Sequence, residues 1–380
     1  MKVFYVSMKQ KFKSIDKAIV LCVVGMMALS ILTILGGYLS GGYSKFTSSR
    51  FFTQTFSGII GFGIMIFLAF VDYDRVISQS VKGIFIFMIG FLILLLLFGR
   101  GEMGNKNWIY VPGMPFNIQP SEFCKPLFII TFSKHLHSLK RSINHPLSLL
   151  QLGLHAGIVI GMLALTKDLG TILVYIAIIV FMLYTAGLSI WYFIGAAVII
   201  VALFPLIWSH MNYYQQQRIL CGFNPDLDPL NYGYQAIKSR TAIAAGGLFG
   251  SGIAGGTAYK VIPEAQSDFL FAVLAEKFGI VGCVAYLTLM CTLVIRILYI
   301  ARKARKDYAA TMCVGIAAIF IIQTIENIGM CLAFLPVIGI TLPFFSYGGS
   351  SVLSSHICAG LVLSIYAHKK KYYFEREADS

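Results

Sequence analysis

AIVLCVVGMMALSILTILGGYLS, residues 18–40, decides the fold. This run carries no charge and, wound as an α-helix, is long enough to cross the roughly 30 Å of hydrocarbon in a bilayer. It is too long for the apolar core of a cleaved signal peptide, and Lys2, Lys9, Lys11, Lys13 and Lys17 precede it. We read it as a retained first transmembrane helix with a basic inner flank. Outward from it, comparable apolar stretches fall at 53–71, 83–99, 119–136, 148–166, 168–186, 189–208, 267–300, 308–335 and 344–366. The expectation is an all-α, polytopic integral membrane protein of about ten transmembrane helices, in which the fourth and tenth stretches are the least apolar.

Composition agrees. Of 380 residues, 58% are hydrophobic and 12% charged, and the mean hydropathy of +0.79 excludes a soluble domain of this length. The net charge of +14 would suggest nucleic acid in a soluble protein. Here the basic residues flank apolar segments and act as topology signals, so no nucleic-acid partner is expected. With the N-terminus inside, the inner segments also hold Arg75, Lys82, Lys134, Lys140, Arg141, Arg302, Lys303, Arg305, Lys306, Lys369, Lys370, Lys371 and Arg376. The short outer loops hold only Lys45, Arg50, Arg100, Lys106 and Lys167. This asymmetry places both termini in the cytoplasm. The eight cysteines and seven histidines show no metal-ligand or disulfide spacing.

The chain is expected to form a single transmembrane domain over 1–380, with a long extracytoplasmic loop at 209–266 between the seventh and eighth spans. That loop contains GGLFGSG (Gly246 to Gly252), which offers flexible backbone beside the membrane. A second outer loop, 100–118, contains Trp108, readable as an interfacial anchor or as a substrate-contacting aromatic.

Ionisable groups in apolar spans are costly and therefore candidates for function. Glu122 and Lys125 share one face of the fourth span, as a structural ion pair or as a cavity lining. Asp168 opens the sixth span in TKDLGT, where capping explains a carboxylate. Asp268 opens the eighth, with Glu264 before it and Glu276 about two turns later. Ser267 or Asp268 could cap that helix. Glu326 and Asn327 in the ninth span could stabilise interhelical packing by hydrogen bonds, and their role is left open.

These residues sit in motifs that resemble the SEDS family (shape, elongation, division and sporulation), most closely its RodA branch. The matching stretches are NWIYVPG with NIQPSEFCKP (107–126), KDLGT (167–171), the segment from Arg218 to Gln235, SRTAIAAGGLFGSG (239–252), PEAQSDFLFAVLAEKFGIVG (263–282) and NIGMCLAFLPVIGITLPFFSYGGSS (327–351). The resemblance implies a peptidoglycan glycosyltransferase that polymerises lipid II at the outer face of the cytoplasmic (inner) membrane, in cell elongation and shape determination, beside a class B penicillin-binding protein. It maps the family's essential acid onto Asp268, with Ser267 in place of a threonine, and its outer-loop tryptophan onto Trp108. Departures are Lys167 for a proline, Lys277 for a second glutamate, and Ile338 and Thr341 for threonine and proline.

For that reaction, Asp268 is the expected base. Lys125, Arg218, Arg240 and Lys260 are candidate phosphate contacts, and Gln119, Ser121, Glu122, Asp168 and Glu276 are candidates for lining or supporting the cavity. A divalent cation, magnesium or manganese, bound through Asp268 is an option. The rival readings are a lipid II flippase, which should concentrate polar groups at the midplane and show repeats, and a non-enzymatic scaffold.

Overall fold

The computed structural model describes residues 15–40, 46–101, 106–113 and 117–378, with side chains to His368. Lys2, Lys9, Lys11, Lys13 and Lys45 lie outside the described residues, as do the side chains of Lys369, Lys370, Lys371 and Arg376.

Among the described residues the regular structure is all-helical apart from two isolated antiparallel bridges, Arg100 with Trp108 and Ile109 with Ile118. The helices are α1 (Lys17–Leu39), α2 (Ser48–Phe70), α3 (Tyr73–Phe98), α4 (Pro120–Ser138), α5 (Pro146–Leu165), α6 (Leu169–Thr185), α7 (Ile190–His210), α8 (Tyr213–Phe223), α9 (Tyr234–Gly246), α10 (Leu270–Arg302), α11 (Asp307–Cys331) and α12 (Gly349–Ala378). Among the described residues, eight are long and apolar enough to cross a membrane: α1, α2, α3, α5, α7, α10, α11 and, over Gly349–His368, α12. α6 is apolar but shorter, and α4, which carries Glu122 and Lys125, is not among the eight.

Local chemistry sets the helix starts. Asp16 accepts from the Ala18 and Ile19 amides, and Asp72 from those of Asp74 and Arg75. Pro120 and Pro146 occupy first-turn positions where no amide is needed. Close packing between α2 and α12 needs small residues. A Cβ at Gly61 would meet His356, and one at Gly360 would meet Met65 and Leu68. α7 buries none of its residues and stands at the periphery.

The polar contacts sort by end. Lys140 pairs with Asp307 at 2.6 Å, Lys306 with Asp74 at 2.6 Å, and Arg296 with Asp16, all among segments that the positive-inside rule places in the cytoplasm. At the other end, the Tyr259 hydroxyl donates to Gly37 O (3.0 Å), Lys106 N to Thr166 O (3.1 Å) and Ser350 Oγ to Asn117 O (3.1 Å). An up-and-down path through the membrane accounts for both groups.

Two features depart from the sequence reading. The stretch 209–266 holds two helices, α8 and α9, and α8 opens on a reciprocal capping box between Asn212 and Gln215. The eighth span breaks at Gly279, whose φ of 64° and ψ of −161° are not helical. A broken helix leaves amides and carbonyls without partners, which is tolerated at a membrane only where other protein groups supply them. Here the glycine-rich loop does so. Ser251 N donates to Glu276 O at 2.9 Å and Gly252 N to Lys277 O at 3.1 Å, while Ile280 N donates to Gly247 O at 3.0 Å and Val281 N to Leu248 O at 3.2 Å. GGLFGSG is thus a docked plug. Side chains would prevent the docking, since a Cβ at Gly246 would lie 1.9 Å from Ala275 O and one at Gly279 2.3 Å from Leu248 O.

Candidate active site

Asp268 lies in the turn 263–269 that leads into α10. The residue at the cap position is Phe269, and no side chain caps the helix. Ser267 does not cap it; its hydroxyl donates to Glu264 Oε2 at 2.9 Å. Asp268 is held instead through its backbone. Asn327 Nδ2 donates to Asp268 O at 2.7 Å and to Ile340 O at 2.7 Å, so one amide ties the turn to the segment after α11. The Asp268 side chain reaches toward that segment: a Cβ at Gly339, itself at φ +73°, would lie 3.2 Å from Oδ2. Among the described residues, no hydrogen bond is found to the Asp268 carboxylate.

The surroundings of Asp268 favour its neutral form. Burial, reinforced by the charges of Glu264 and Asp168 and opposed by Arg218, pushes its carboxyl up to about 7. Arg218 is on α8, half-buried, with its guanidinium 5.3 Å from the Tyr214 ring centre. Asp168 caps α6, accepting from Thr171 N at 3.0 Å and Thr171 Oγ1 at 2.7 Å. Lys167 before it has φ +62°, a value that a proline cannot adopt.

The motif segments converge. A Cβ at Gly170 would lie 3.0 Å from Ile338 O, so the KDLGT turn abuts the segment beside Asp268. Gln119 N donates to Ser350 Oγ at 3.0 Å, Ser354 Oγ to Glu122 O at 2.7 Å, and Tyr347 N to Gln266 O at 3.1 Å. The Ser121 carbonyl accepts from Tyr175 at 3.2 Å. Ser121 Oγ and Gln266 Oε1 are buried without a hydrogen-bond partner among the described residues.

The other candidates are spread more widely. Lys125 is 2% exposed and bonded to Glu122 at 2.7 Å, closing the pair expected on α4. Glu276 is buried, its two carboxylate oxygens accepting from the Ala258 and Tyr259 amides at 2.8 and 2.7 Å. Lys260 donates to Ser40 O at 3.1 Å. Lys277, fully buried, donates to Ser40 Oγ and Gly255 O. This Glu276–Lys277 step therefore braces the loop that precedes Asp268. Trp108 is half-buried and bridged to Arg100. Arg240 is exposed on α9, lining an outer groove of about 490 Å³ with Phe223, Asp226 and Phe334.

A resident cation finds little here. Among the described residues no group of three or more His, Cys, Asp or Glu side chains could hold a metal ion. Glu264 already accepts from Gln266 and Ser267 through Oε2, and both Asp168 oxygens accept from Thr171, so among the described residues no cluster of ready-made ligands surrounds the Asp268 carboxylate. The donor set does not fit a protein-held metal, and no step below is routed through one.

Sequence reasoning left the role of Asn327 open between packing and function, and it missed the break at Gly279. A polar amide within an apolar span four residues from a cysteine gave a signal for the first. Gly279, one of two glycines with Gly282 in a 34-residue apolar stretch, gave almost none for the second.

A family model described as "Cell cycle protein", covering FtsW, RodA and SpoVE, matches residues 13–371. The peptidoglycan glycosyltransferase MrdB of Escherichia coli (strain K12) is 33% identical over 366 residues, covering 94% of each chain. A probable peptidoglycan glycosyltransferase, FtsW of Bacillus subtilis (strain 168), is 30% identical over 384 residues, covering 96% of this chain and 94% of its own. Among solved structures, a chain from work on the structural coordination of polymerization and crosslinking by a peptidoglycan synthase complex aligns with a TM-score of 0.78 at 27% identity, covering 93% of this chain and 98% of that one. The rod shape determining protein RodA of Thermus thermophilus has the same fold, with a TM-score of 0.68 at 24% identity and coverage of 94% and 98%.

Proposed function

Because the chain belongs to the FtsW, RodA and SpoVE family of multi-pass inner-membrane proteins, we propose that it is a peptidoglycan glycosyltransferase that polymerises lipid II, with Asp268 as general base and an elongation role like that of its RodA-type relatives. The observation that carries this reading is the Asp268 carboxylate: half-buried, without a hydrogen-bond partner among the described residues, and pushed up to about 7. A base of that strength is matched to neutral pH.

In the reaction, the 4-hydroxyl oxygen of one disaccharide bonds to the anomeric carbon of another. The bond from that carbon to the pyrophosphate oxygen breaks, and undecaprenyl pyrophosphate leaves with the electron pair. The hydroxyl proton passes to Asp268. Pyrophosphate departs readily, so the protein needs a base and positive charge more than a strong acid. Arg218, whose charge already acts on Asp268, supplies that charge nearest the reacting atoms. Arg240, Lys260 and Trp108 are assigned to the remainder of the lipid-linked substrate. Asn327 fixes where the base stands.

A class B penicillin-binding protein is the partner this reading requires, since glycan strands must be crosslinked. The related chain in a peptidoglycan synthase complex supports it. Purified protein incubated with lipid II and no partner tests the enzymatic reading. Polymer is expected. Translocation without polymer would make the chain a flippase, and neither activity would make it a scaffold.

A further inference from the structure

The plug at residues 247–252 docks on the broken α10 through backbone groups, so its tip side chains are not needed for docking. They point away from the protein: Leu248 is 63% exposed and Phe249 79%. The second half of α10 begins beside them, and there Ile280, Val281 and Val284 are 54%, 56% and 53% exposed. Hydrogen bonds from Ile280 N to Gly247 O and from Val281 N to Leu248 O put the tip directly against this lipid-facing row. The five side chains make one apolar band.

Two climbs, up α10 and up α1 from the shared level of Asp16, give the height of that band. From Arg296, which pairs with Asp16, α10 rises to Ile280 over about 24 Å. From Lys17, α1 rises to Gly36 over about 29 Å, and a Cβ at Gly36 would lie 2.8 Å from Ile253 O, in the segment after the plug. Both heights fall near the outer edge of a hydrocarbon layer about 30 Å thick. The first half of α10, Leu270 to Lys277, is buried in protein and so offers no face to lipid.

We infer that Leu248 and Phe249 enter the outer leaflet, making the Gly246–Gly252 loop a membrane anchor whose partner is the acyl-chain edge of the lipid. The occupant follows from continuity with the exposed face of α10, which is already a lipid surface. The anchor is coupled to Asp268 through a short rigid path: the plug holds the Glu276 and Lys277 carbonyls, and the Glu276 carboxylate holds the Ala258 and Tyr259 amides ahead of the Asp268 turn. It would thereby fix the height of that turn above the bilayer. The inference depends on the fold and orientation and stands apart from the proposed reaction.

The test uses the full chain, with native cysteines replaced, in nanodiscs of phosphatidylethanolamine and phosphatidylglycerol and no other protein. Nitroxide labels are placed at Leu248→Cys, Phe249→Cys and, as the lipid reference, Val284→Cys. Oxygen should relax the labels at 248 and 249 more strongly than a water-soluble nickel chelate, as at 284. Stronger relaxation by the chelate at 248 and 249, with 284 reading as lipid, would overturn the anchor. Should the cysteine-free chain not fold, Phe249→Trp in the native background gives a second reading. The added emission should be quenched by lipids brominated near the carbonyl end of the chain, and unquenched added emission would overturn the inference equally.

Discussion

The two ends of this molecule treat charge in opposite ways. At the inner end, Asp16, Asp74 and Asp307 each have a basic partner, and Asp74 also accepts from Tyr308. At the outer end, Asp268 has no hydrogen-bond partner among the described residues, faces the like charges of Glu264 and Asp168, and has only Arg218 to oppose them. Matched charges fasten helices. An unmatched carboxylate is held against its own preference, which is tolerable only because Asn327, Gly339 and the braced loop before it fix its surroundings.

The comparison breaks most visibly if the buried pair on α4 belongs with the fasteners. Removing one partner, as in Lys125→Met, should cost about 3–5 kcal/mol because Glu122 would be left charged and buried. Reversing both charges should recover more folded protein than either single reversal, read as the monodisperse fraction in detergent. A double reversal no better than the worse single one would remove the pair from the account.

Asn327→Ala comes next. It leaves two backbone carbonyls without their shared donor, a loss of about 1–3 kcal/mol. If Asn327 positions Asp268, polymerisation should fall by about tenfold through kcat with KM little changed. A purely structural role would lower the yield of folded protein and leave kcat of the folded fraction intact.

The pH profile sharpens the same contrast. A base must be deprotonated to accept a proton, so kcat/KM should rise with pH, bend near 7 and fall about tenfold per unit below that. A profile flat from pH 5 to 8 would mean that no group with a raised carboxyl pKa is essential. At the inner end, Lys140→Met should change stability by less than about 1 kcal/mol, since both partners of the Lys140–Asp307 pair are more than half exposed and screened by solvent. A larger loss in a denaturation series would show that the inner network is coupled.

How much of this was legible in the sequence differs by kind of residue. Charge-free runs such as 18–40 announce helices because hydrocarbon admits little else, and flanking lysines announce direction. Asp268, Glu122 and Lys125 stood out because charge is costly among apolar neighbours. Glu276 and Lys277 were seen, but not what they do, because bracing a loop depends on contacts with Tyr259 and Ser40, distant in sequence. GGLFGSG read as flexible for the same reason. Its glycines are required by a backbone 30 residues away, at Gly279, and one glycine within an apolar run leaves hydropathy almost unchanged. The height of the outer helices was lost with it, since α10 looks like one long span until the break is seen.

The most direct test of the central claim is the rate of lipid II polymerisation by Asp268→Asn. Asparagine keeps the shape of the side chain, and the backbone bond to Asn327 does not depend on it, so folding and membrane insertion should be nearly unchanged. An amide cannot take the hydroxyl proton, and polymerisation should fall by roughly a hundredfold or more, the scale of losing a general base. Folded Asp268→Asn protein that polymerises lipid II at near the native rate would contradict the account and move the search for the base to Glu264.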